Sequence, residues 1–375
     1  MKKNIKRIAA LLLALTLMMA MAACGNSAPA PAPEAPDSGN ADAPAAPAAP
    51  AEPGDVSSDP KVSLRYAASK AATHAKSILA QSFFDNVYEK TGGTVEIEGF
   101  WSSSLVAVAS AWAETMAGAT DIVVTTPGNE KDHFVIDNSQ YFFTISADSY
   151  ADQVAVTKEF FEATPEYQAE YEDLVPVVFE SSGGELYFVT KEPVRTLTDL
   201  KGKQIRVVDD ISWAIVENCG GIPVKMPLSE VFDAFNKGLI DGVLIGVYNV
   251  YSSQFDEVAG YITNTHIQAP VNMQQFMRAD AYNSMTDAQK AAFDECVVEY
   301  QQAIVEDGAA CEQIGLDYAA EKGMEIIEFS EDDLASLRAS LEEDIQAKVA
   351  ELNAAGYPGD EMYARAQEIM AKYTK

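Results

Sequence analysis

The amino-acid sequence predicts an α/β protein in which two lobes share a helical C-terminal region. Strands and helices alternate over Lys61–Thr125, which is typical of a parallel sheet. A second series of short apolar strands and intervening helices extends over Val175–Val247. From Thr286 the apolar periodicity becomes helical. The roughly 315 residues after Pro60 are enough for one large two-lobed unit or for two domains.

The first series begins with two segments, Lys61–Ala67 and Thr94–Phe100, whose apolar and polar side chains alternate as they do in strands. Between them, His74–Lys90 carries apolar residues at helical spacing and ends at a Gly-Gly pair. A second helix is predicted at Val106–Ala117. Asp121–Thr125 is a short apolar run that fits a buried strand.

The second series begins with a helix predicted at Asp152–Phe161 and continues as short strands separated by turns and helices. Ser229 is expected to cap one of these helices, and Gly238 to end it. The predicted strands are Val175–Phe179, Glu185–Thr190, Gln204–Val208, Ile222–Met226 and Asp241–Val247, and the predicted helices are Ser212–Asn218 and Ser229–Lys237.

The C-terminal region is predicted to be helical. Thr286 and Gln289 form a capping box at the start of a helix that continues to Lys322. Two further helices, Asp332–Leu352 and Asp360–Tyr373, complete the chain. We expect the boundaries between the lobes near residues 185–190 and 245–270.

The first 23 residues have the pattern of an export signal. Four cations precede an apolar run, Ile8–Ala23, which at sixteen residues is too short to span a bilayer core of about 30 Å. The run ends in Met21-Ala22-Ala23-Cys24, a lipobox with Met in place of the usual Leu. We expect cleavage before Cys24, lipidation of its thiol and an extracytoplasmic protein. The alternative is an unlipidated secretory signal followed by a chance cysteine.

Residues 24–60 are predicted to form a disordered tether. Gly25–Pro60 contains nine prolines and no basic or aromatic residue. Such a segment cannot bury enough apolar surface to offset its chain entropy. A polyproline-like tether of this length would reach on the order of 100 Å. A domain on this tether, residues 61–375, would stay near the membrane while remaining free to reorient.

The charge balance excludes several partners. The formal net charge is −31, and it becomes more negative when the four cations of the signal segment are removed. A chain this acidic is a poor candidate for binding nucleic acid or anionic lipid headgroups. If the ligand is an anion, a local basic site must bind it against this overall field.

The sequence contains no pattern for a disulfide framework, a metal site or a catalytic centre. Once Cys24 is lipidated, three cysteines remain, and two of them lie about four turns apart on one predicted helix, so we expect free thiols. The three histidines stand in unrelated contexts, and no nucleophile elbow or phosphate-binding loop follows a strand. We therefore expect no cofactor, no metal and no enzymatic activity.

Three stretches in the second series resemble one family of proteins. They are Thr198–Val207 (TDLKGKQIRV), Gly221–Phe232 (GIPVKMPLSEVF) and Ala234–Gly242 (AFNKGLIDG). Their order and spacing resemble the substrate-binding proteins of TRAP transporters, the dicarboxylate-binding-protein-like family. The resemblance covers most of Lys61–Phe293. It implies a two-lobed, periplasmic-binding-protein-like fold with a hinge, a small organic-acid ligand in the cleft between the lobes, and a membrane permease as partner.

The resemblance singles out Arg206. In the family, the arginine of this strand binds a carboxylate of the ligand. A guanidinium suits this role because its planar fork matches a carboxylate with two parallel hydrogen bonds, and an unpaired guanidinium on an apolar strand would be costly. The alternative is that Arg206 pairs permanently with Asp209 or Asp210.

Two departures from the family pattern limit the choice of ligand. Glu185 stands where a second arginine is often found, and Ile245 stands where an asparagine is expected. A cation and an amide are thus replaced by an anion and an apolar group, so we expect a monocarboxylate with an apolar body, such as an aromatic ring, rather than a four-carbon dicarboxylate. Glu185 either receives an amine or hydroxyl of the ligand or lies at the surface.

Five further residues are candidates for the cleft. Trp213, Tyr248 and Asn249 follow predicted strands, and ligands of open α/β folds bind beyond the carboxyl ends of strands. Tyr187 lies on the Glu185 strand. His74 precedes the first helix, where it is either a donor to the ligand or simply the residue that starts the helix. For each aromatic residue the alternative is a place in the core.

The mechanism implied by the resemblance has no covalent step. The ligand enters an open cleft, Arg206 binds its carboxylate, the lobes close by a hinge motion, and the permease recognises the closed form. Three other functions stay open: a sensor lipoprotein that presents its ligand to a receptor, a two-lobed hydrolase, and an ABC-type binding protein. The hydrolase would need a nucleophile and a base near Arg206, and the Arg206 and Asp241-Gly242 motifs disfavour the ABC type.

Overall fold

The computed structural model describes residues 56–144, 147–181 and 184–374. The predicted signal peptide, Cys24 and the tether up to residue 55 lie outside the described residues. The last five tether residues pack on the folded domain instead. Val56 is buried, Asp59 accepts a hydrogen bond from Thr286 Oγ1 (2.6 Å), and the Pro60 carbonyl accepts one from Gln289 Nε2 (2.8 Å). The folded part therefore includes residues before Lys61.

The first lobe is built on a five-stranded sheet. The alternation of strands and helices predicts its parallel part correctly. A strand from later in the sequence, β10, lies antiparallel between β3 and β4, so β4 has the same direction as the first three strands. The strand order is β2-β1-β3-β10-β4. The strands are β1 (Val62–Ala67), β2 (Val95–Phe100), β3 (Ile122–Val124), β4 (Leu174–Glu180) and β10 (Asn272–Arg278).

The second lobe is built on a six-stranded sheet in the order β11-β9-β5-β8-β6-β7. Here β6 is parallel to β7 and β8, whereas β5 is antiparallel to β8 and β9. The strands are β5 (Glu185–Thr190), β6 (Gln204–Val207), β7 (Ile222–Lys225), β8 (Gly242–Gly246), β9 (Tyr261–Gln268) and β11 (Glu325–Glu328).

The sequence did not predict β9, because most of its buried side chains are polar. Thr263, Asn264 and Thr265 are all buried, and their hydroxyl and amide groups are hydrogen-bonded. Thr263 donates to the Val194 carbonyl and Thr265 to the Leu186 carbonyl. A search for apolar periodicity cannot detect a strand that is buried through satisfied polar groups.

Helices cover both sheets and differ from the prediction in a few places. The predicted helix at Asp332–Leu352 is divided at Leu341, and Ser229 does not cap its helix, which begins at Leu228 after Pro227. The capping box of Thr286 and Gln289 is confirmed. The helices are α1 (Ala75–Lys90), α2 (Ala111–Met116), α3 (Tyr141–Thr144), α4 (Tyr150–Ala163), α5 (Pro165–Ala169), α6 (Asp210–Asn218), α7 (Leu228–Asn236), α8 (Tyr248–Ser252), α9 (Ala279–Asn283), α10 (Asp287–Glu321), α11 (Glu331–Ser340), α12 (Glu342–Ala354) and α13 (Gly359–Met370).

Three structural findings concern the thiols, membrane-spanning helices and metal sites. Cys219, Cys296 and Cys311 are free thiols, as expected. Within the part of the chain that the structure describes, no helix has the length and apolar character needed to cross a membrane. Over the same residues, no group of three or more His, Cys, Asp or Glu side chains is arranged to hold a metal ion.

Two short crossing segments, from β4 to β5 and from β9 to β10, connect the two sheets, and the chain passes between the sheets a third time through α10, from β10 to β11. The 35-residue helix α10 contacts both lobes, because it packs on α1 and β4 in the first and on α8 and β11 in the second. Two glycines of α10 lie where the helix packs closely against other elements. A side chain at Gly308 would overlap the ring of Tyr150, and one at Gly315 would overlap the main chain at Val247 and Tyr248.

We expect Gly315→Ala to destabilise the protein by about 1–3 kcal/mol, although alanine is the better helix former by about 1 kcal/mol. The added Cβ would lie 2.6 Å from the Val247 carbonyl carbon and 2.7 Å from the Tyr248 nitrogen, so main chain would have to move. Denaturant-induced unfolding measures the effect. Gly260→Ala is the matched control, since a Cβ there meets nothing within 4 Å, and equal losses in both variants would contradict the prediction.

Candidate functional site

The strand registers show which end of each sheet lies near the segments that connect the two lobes. In the first sheet, the carboxyl end of β3 lies beside the start of β10, which follows a crossing. In the second sheet, the carboxyl end of β8 lies beside the start of β5, which follows the other crossing. The parallel strands β1 and β6 share these directions. The carboxyl ends of the parallel strands therefore lie on the crossing side in both lobes, where ligands of open α/β sheets bind.

Arg206 is buried on β6 and has no acidic partner among the described residues. Its side chain is 4% exposed, and its Nε donates to the Met226 carbonyl (3.2 Å). Burial lowers the pKa of Arg206, and the charge of Asp209 offsets part of this effect. An arginine keeps its charge even so. Its two terminal nitrogens, which can bind a carboxylate in two parallel hydrogen bonds, make no hydrogen bond to described residues.

The two acids proposed as permanent partners of Arg206 are engaged elsewhere. Asp209 is the N-cap of α6 and accepts a hydrogen bond from the Ser212 nitrogen (2.8 Å). Asp210 pairs with Lys131 (3.0 Å) and with Lys225 (3.1 Å). The permanent-pair alternative is therefore absent from this structure, and Arg206 is available to an external anion.

The side chains next to Arg206 on its face of the sheet are apolar, and they form a buried cluster with side chains of α7. Arg206 pairs in register with Val243, and Val243 with Val189, so these three side chains share one face of the sheet. Ile245 and Tyr187 continue this face towards the crossing, and both are buried. Ile245, where the family pattern leads us to expect an asparagine, thus places a hydrocarbon group between Arg206 and the crossing segments.

Glu185 and Tyr187 belong to a polar cluster at the crossing. Glu185 Oε2 accepts from Asn264 Nδ2 (2.6 Å) and lies 3.6 Å from His266 Nδ1, while the Tyr187 hydroxyl donates to Glu312 of α10 (2.9 Å). The side chain of Glu185 is only 15% exposed, so the surface alternative is wrong. Glu185 and Glu312 also line a cavity of about 300 Å³ beside the start of α4. No motif in the sequence points to Glu312.

The other sequence candidates fall in different places. Trp213 lies on α6, whose residues pack with Ile205 and Val207, the face of the sheet opposite to Arg206. Its Nε1 donates to Glu217 (3.3 Å), and Lys225 Nζ lies 5.4 Å from the ring centroid. Trp213 therefore lies on the side of the sheet opposite to Arg206, and its place in the cleft stays a prediction.

Tyr248, Asn249 and His74 lie nearer the region between the lobes. Asn249 Nδ2 donates to the Gly246 carbonyl (3.0 Å), which ends β8. His74 is the N-cap of α1, and its Nδ1 accepts from the Lys76 nitrogen (3.2 Å). The helix α1, which follows His74, and the helix α8, which begins at Tyr248, both pack on α10.

The first lobe contains a buried ion pair that sequence reasoning missed. Lys76 pairs with Glu180, whose other oxygen accepts from Gln275 Nε2 (3.0 Å), and Gln275 in turn accepts from Tyr66 and Tyr300. Burial alone would lower the pKa of Lys76, but Glu180 raises it above its ordinary value. Lys76 follows the cap of α1 and Glu180 ends β4, so the pair joins two elements at the crossing side of the first sheet.

We expect Glu180→Gln to cost about 3 kcal/mol of stability, because it leaves the charge of Lys76 without a counter-ion at 20% side-chain exposure. The free energy of unfolding in urea measures this. Glu299→Gln is the control: its partner Lys90 is on the surface, and exposed pairs contribute about 0–1 kcal/mol. If Glu180→Gln lost less than about 1 kcal/mol of unfolding free energy, the charge of Lys76 would have to be stabilised by another side chain or by water.

Two α/β lobes joined by two crossing segments, with strand ends facing each other and a buried arginine free to bind an anion, define a protein that binds a small solute. Residues 66–352 match the family model described as "Bacterial extracellular solute-binding protein, family 7", and the chain belongs to this family. It is a TRAP-type solute-binding protein and extracytoplasmic, as the sequence predicted. The family consists of solute-binding proteins and not of enzymes.

Individual relatives are distant. The ectoine/5-hydroxyectoine-binding periplasmic protein UehA of Ruegeria pomeroyi is 27% identical over 256 residues, which is 64% of this chain and 73% of that protein. A TRAP periplasmic solute-binding protein of Desulfovibrio salexigens, crystallised as an open complex, superposes with a TM-score of 0.74 at 23% identity, covering 84% of this chain and 97% of that chain. A marine-metagenome TRAP protein from an unidentified microbe, specific for aromatic acid ligands and crystallised with metahydroxyphenylacetate, gives a TM-score of 0.71 at 20% identity, with coverages of 84% and 100%.

Proposed function

We propose that this protein is an extracytoplasmic lipoprotein that binds a small organic carboxylate between its lobes and delivers it to a TRAP-type membrane permease. The observation that supports the proposal best is Arg206, a buried cation without a carboxylate partner among the described residues of a chain with net charge −31. A local cation of this kind is what an acidic protein needs in order to hold an anion.

The ligand we infer is a monocarboxylate with an apolar body. The face beside Arg206 carries Val243 and Ile245, and the position of a possible second arginine is Glu185, already hydrogen-bonded to Asn264. The aromatic-acid specificity of the marine-metagenome relative supports this class of ligand. A four-carbon dicarboxylate would leave one carboxylate next to an apolar wall, which is costly.

Thermal unfolding of the chain from Gly25 to Lys375, screened against a library of organic acids and amino acids, tests the proposal. A ligand at a hundred times its dissociation constant adds about 2.7 kcal/mol to the stability of the folded state. We expect aromatic and other apolar monocarboxylates to raise the unfolding temperature and succinate or malate to leave it unchanged. Stabilisation only by solutes without a carboxylate would refute the proposal.

The lipid anchor is tested separately on the full-length chain. The lipobox Met21-Ala22-Ala23-Cys24 predicts that the exported protein partitions with membranes and incorporates labelled fatty acid. We expect Cys24→Ser to abolish labelling and to release the protein into the soluble fraction, with the folded domain unchanged. Cys311→Ser is the control for thiol chemistry elsewhere in the chain, and labelling that survives Cys24→Ser would refute the anchor.

A further inference from the structure

The loops after β1 and β2 form a second set of side chains on the crossing side of the first sheet. The two loops are joined by two main-chain hydrogen bonds, from the Ser102 nitrogen to the Lys70 carbonyl (2.9 Å) and from the Ser103 nitrogen to the Ala68 carbonyl (3.1 Å). Both loops follow carboxyl ends of parallel strands, the position at which open α/β sheets bind ligands.

The backbone of the second loop is strained. Ser102 and Ser103 both have a φ of 56°, in the left-handed region that residues with a side chain seldom occupy. Each such residue costs of order 1 kcal/mol or more, and this strain persists where the surroundings hold it and is concentrated at binding sites. The strained turn directs the chain away from β2 immediately after Trp101.

Trp101 has a fixed position. Its ring stacks on Phe84 (6.0 Å between centroids, 15° between planes) and lies 5.6 Å from the ring of Tyr66. The absence of a side chain at Gly99 makes room for the indole, because a Cβ there would lie 2.5 Å from Cζ2 of Trp101. The indole is only half-buried, so part of this rigid ring is left for a flat molecule to contact.

Lys70 provides a cation beside this ring. Lys70 and Trp101 line one small pocket together with Ser77, Lys76 and Gln275. Glu180 also lines this pocket and forms its ion pair with Lys76. Lys70 is exposed and lies within ion-pair distance of no carboxylate of the described residues, so the two lysines and Glu180 leave one net positive charge here. The wall of the first lobe therefore presents an aromatic surface and a positive charge.

We propose that Lys70 and Trp101 are the first-lobe half of the ligand site. Trp101 lies against the ring of the ligand, and Lys70 binds a hydroxyl oxygen at the end opposite to the carboxylate held by Arg206. This inference rests on the proposed function and narrows its ligand class to ring-containing carboxylates with a second oxygen substituent. Lys70 supplies the second cation from the opposite lobe, so the site needs no arginine at the position of Glu185. A ligand bound to both Arg206 and Lys70 contacts each lobe, which favours the closed form.

The test compares benzoate, 3-methylbenzoate and 3-hydroxybenzoate by titration calorimetry on the chain from Gly25 to Lys375. We expect 3-hydroxybenzoate to bind at least ten times more tightly than the other two. In Lys70→Met this preference disappears while the affinity for benzoate is kept, and in Arg206→Ala all three lose affinity. Lys61→Met, a second exposed lysine of the same lobe, should change nothing. In Trp101→Phe, the change in tryptophan emission on binding should be lost.

The outcomes separate this inference from the proposed function. An unchanged preference in Lys70→Met, or an equal loss for all three acids, overturns the role of Lys70 and leaves Arg206 as the anchor. Binding of none of the three, while another carboxylate stabilises the chain, also overturns the inference alone. If no carboxylate binds at all, the proposed function fails and the inference fails with it.

Discussion

Replacing Arg206 with alanine should weaken binding of the carboxylate ligand at least about 100-fold, which corresponds to about 2.7 kcal/mol. The guanidinium is buried and its terminal nitrogens are unpaired among the described residues, so a bound carboxylate would receive two charge-assisted hydrogen bonds there. Titration calorimetry with the acid found in the thermal screen measures the loss.

Arg206→Lys is the matched variant. It keeps the charge but loses the planar fork, so we expect an affinity between those of the wild-type protein and Arg206→Ala. The stability of the ligand-free protein should change little in either variant, because Arg206 makes one hydrogen bond, to Met226, within the described part of the chain. Equal affinities in all three proteins would show that the carboxylate binds elsewhere.

The second large effect should be a loss of stability with rising pH. Asp137 is fully buried, and burial raises its pKa to about 7 although Tyr167 donates to it; burial likewise raises the pKa of Glu170 to about 8. Carboxyl groups of the unfolded chain titrate near pH 4. Between those values the folded chain binds more protons than the unfolded chain, so these groups make the free energy of unfolding fall as the pH rises from about 4 to about 8.

The measurement is the free energy of unfolding at pH 5.5 and at pH 8.5. We expect the wild-type protein to lose on the order of 2 kcal/mol more than Asp137→Asn over this interval, since the pKa of Asp137, about 7, lies about 1.5 units above pH 5.5 and each unit corresponds to about 1.4 kcal/mol. Glu172→Gln, at an exposed neighbouring position, is the control and should keep the wild-type pH dependence. Identical pH profiles for wild type and Asp137→Asn would mean that Asp137 is ionised at neutral pH in the folded protein.

The local patterns of this chain were sufficient to predict its class. The alternation around β1 and β2 and the capping box at Thr286 depend on residues near each other in sequence, and the structure contains both. Arg206 could be selected because its motif and its apolar strand are also local. The strand β9 could not be predicted in this way, because Thr263 and Asn264 are buried through hydrogen bonds to residues more than sixty positions away in the sequence.

Only the tertiary structure decided what surrounds Arg206. Asp209 and Asp210 are equally plausible partners by distance in sequence. In the structure, Asp209 accepts a hydrogen bond from the main chain at the start of α6, and Asp210 forms ion pairs with Lys131 of the other lobe and with Lys225. The side of the sheet on which Trp213 lies was likewise decided by folding, because it depends on which face of the sheet its helix covers. Lys70 and Trp101 lie in two separate loops that only the folded sheet brings together.

The sequence by itself determined the family, the two-lobed α/β architecture and the identity of the candidate anchor, because periodicity and motifs are properties of neighbouring residues. The partners of each charge were decided by folding. A charge in a sequence of 57 acids and 26 lysines and arginines has many possible partners, and burial leaves only those that the packed elements bring within hydrogen-bonding distance.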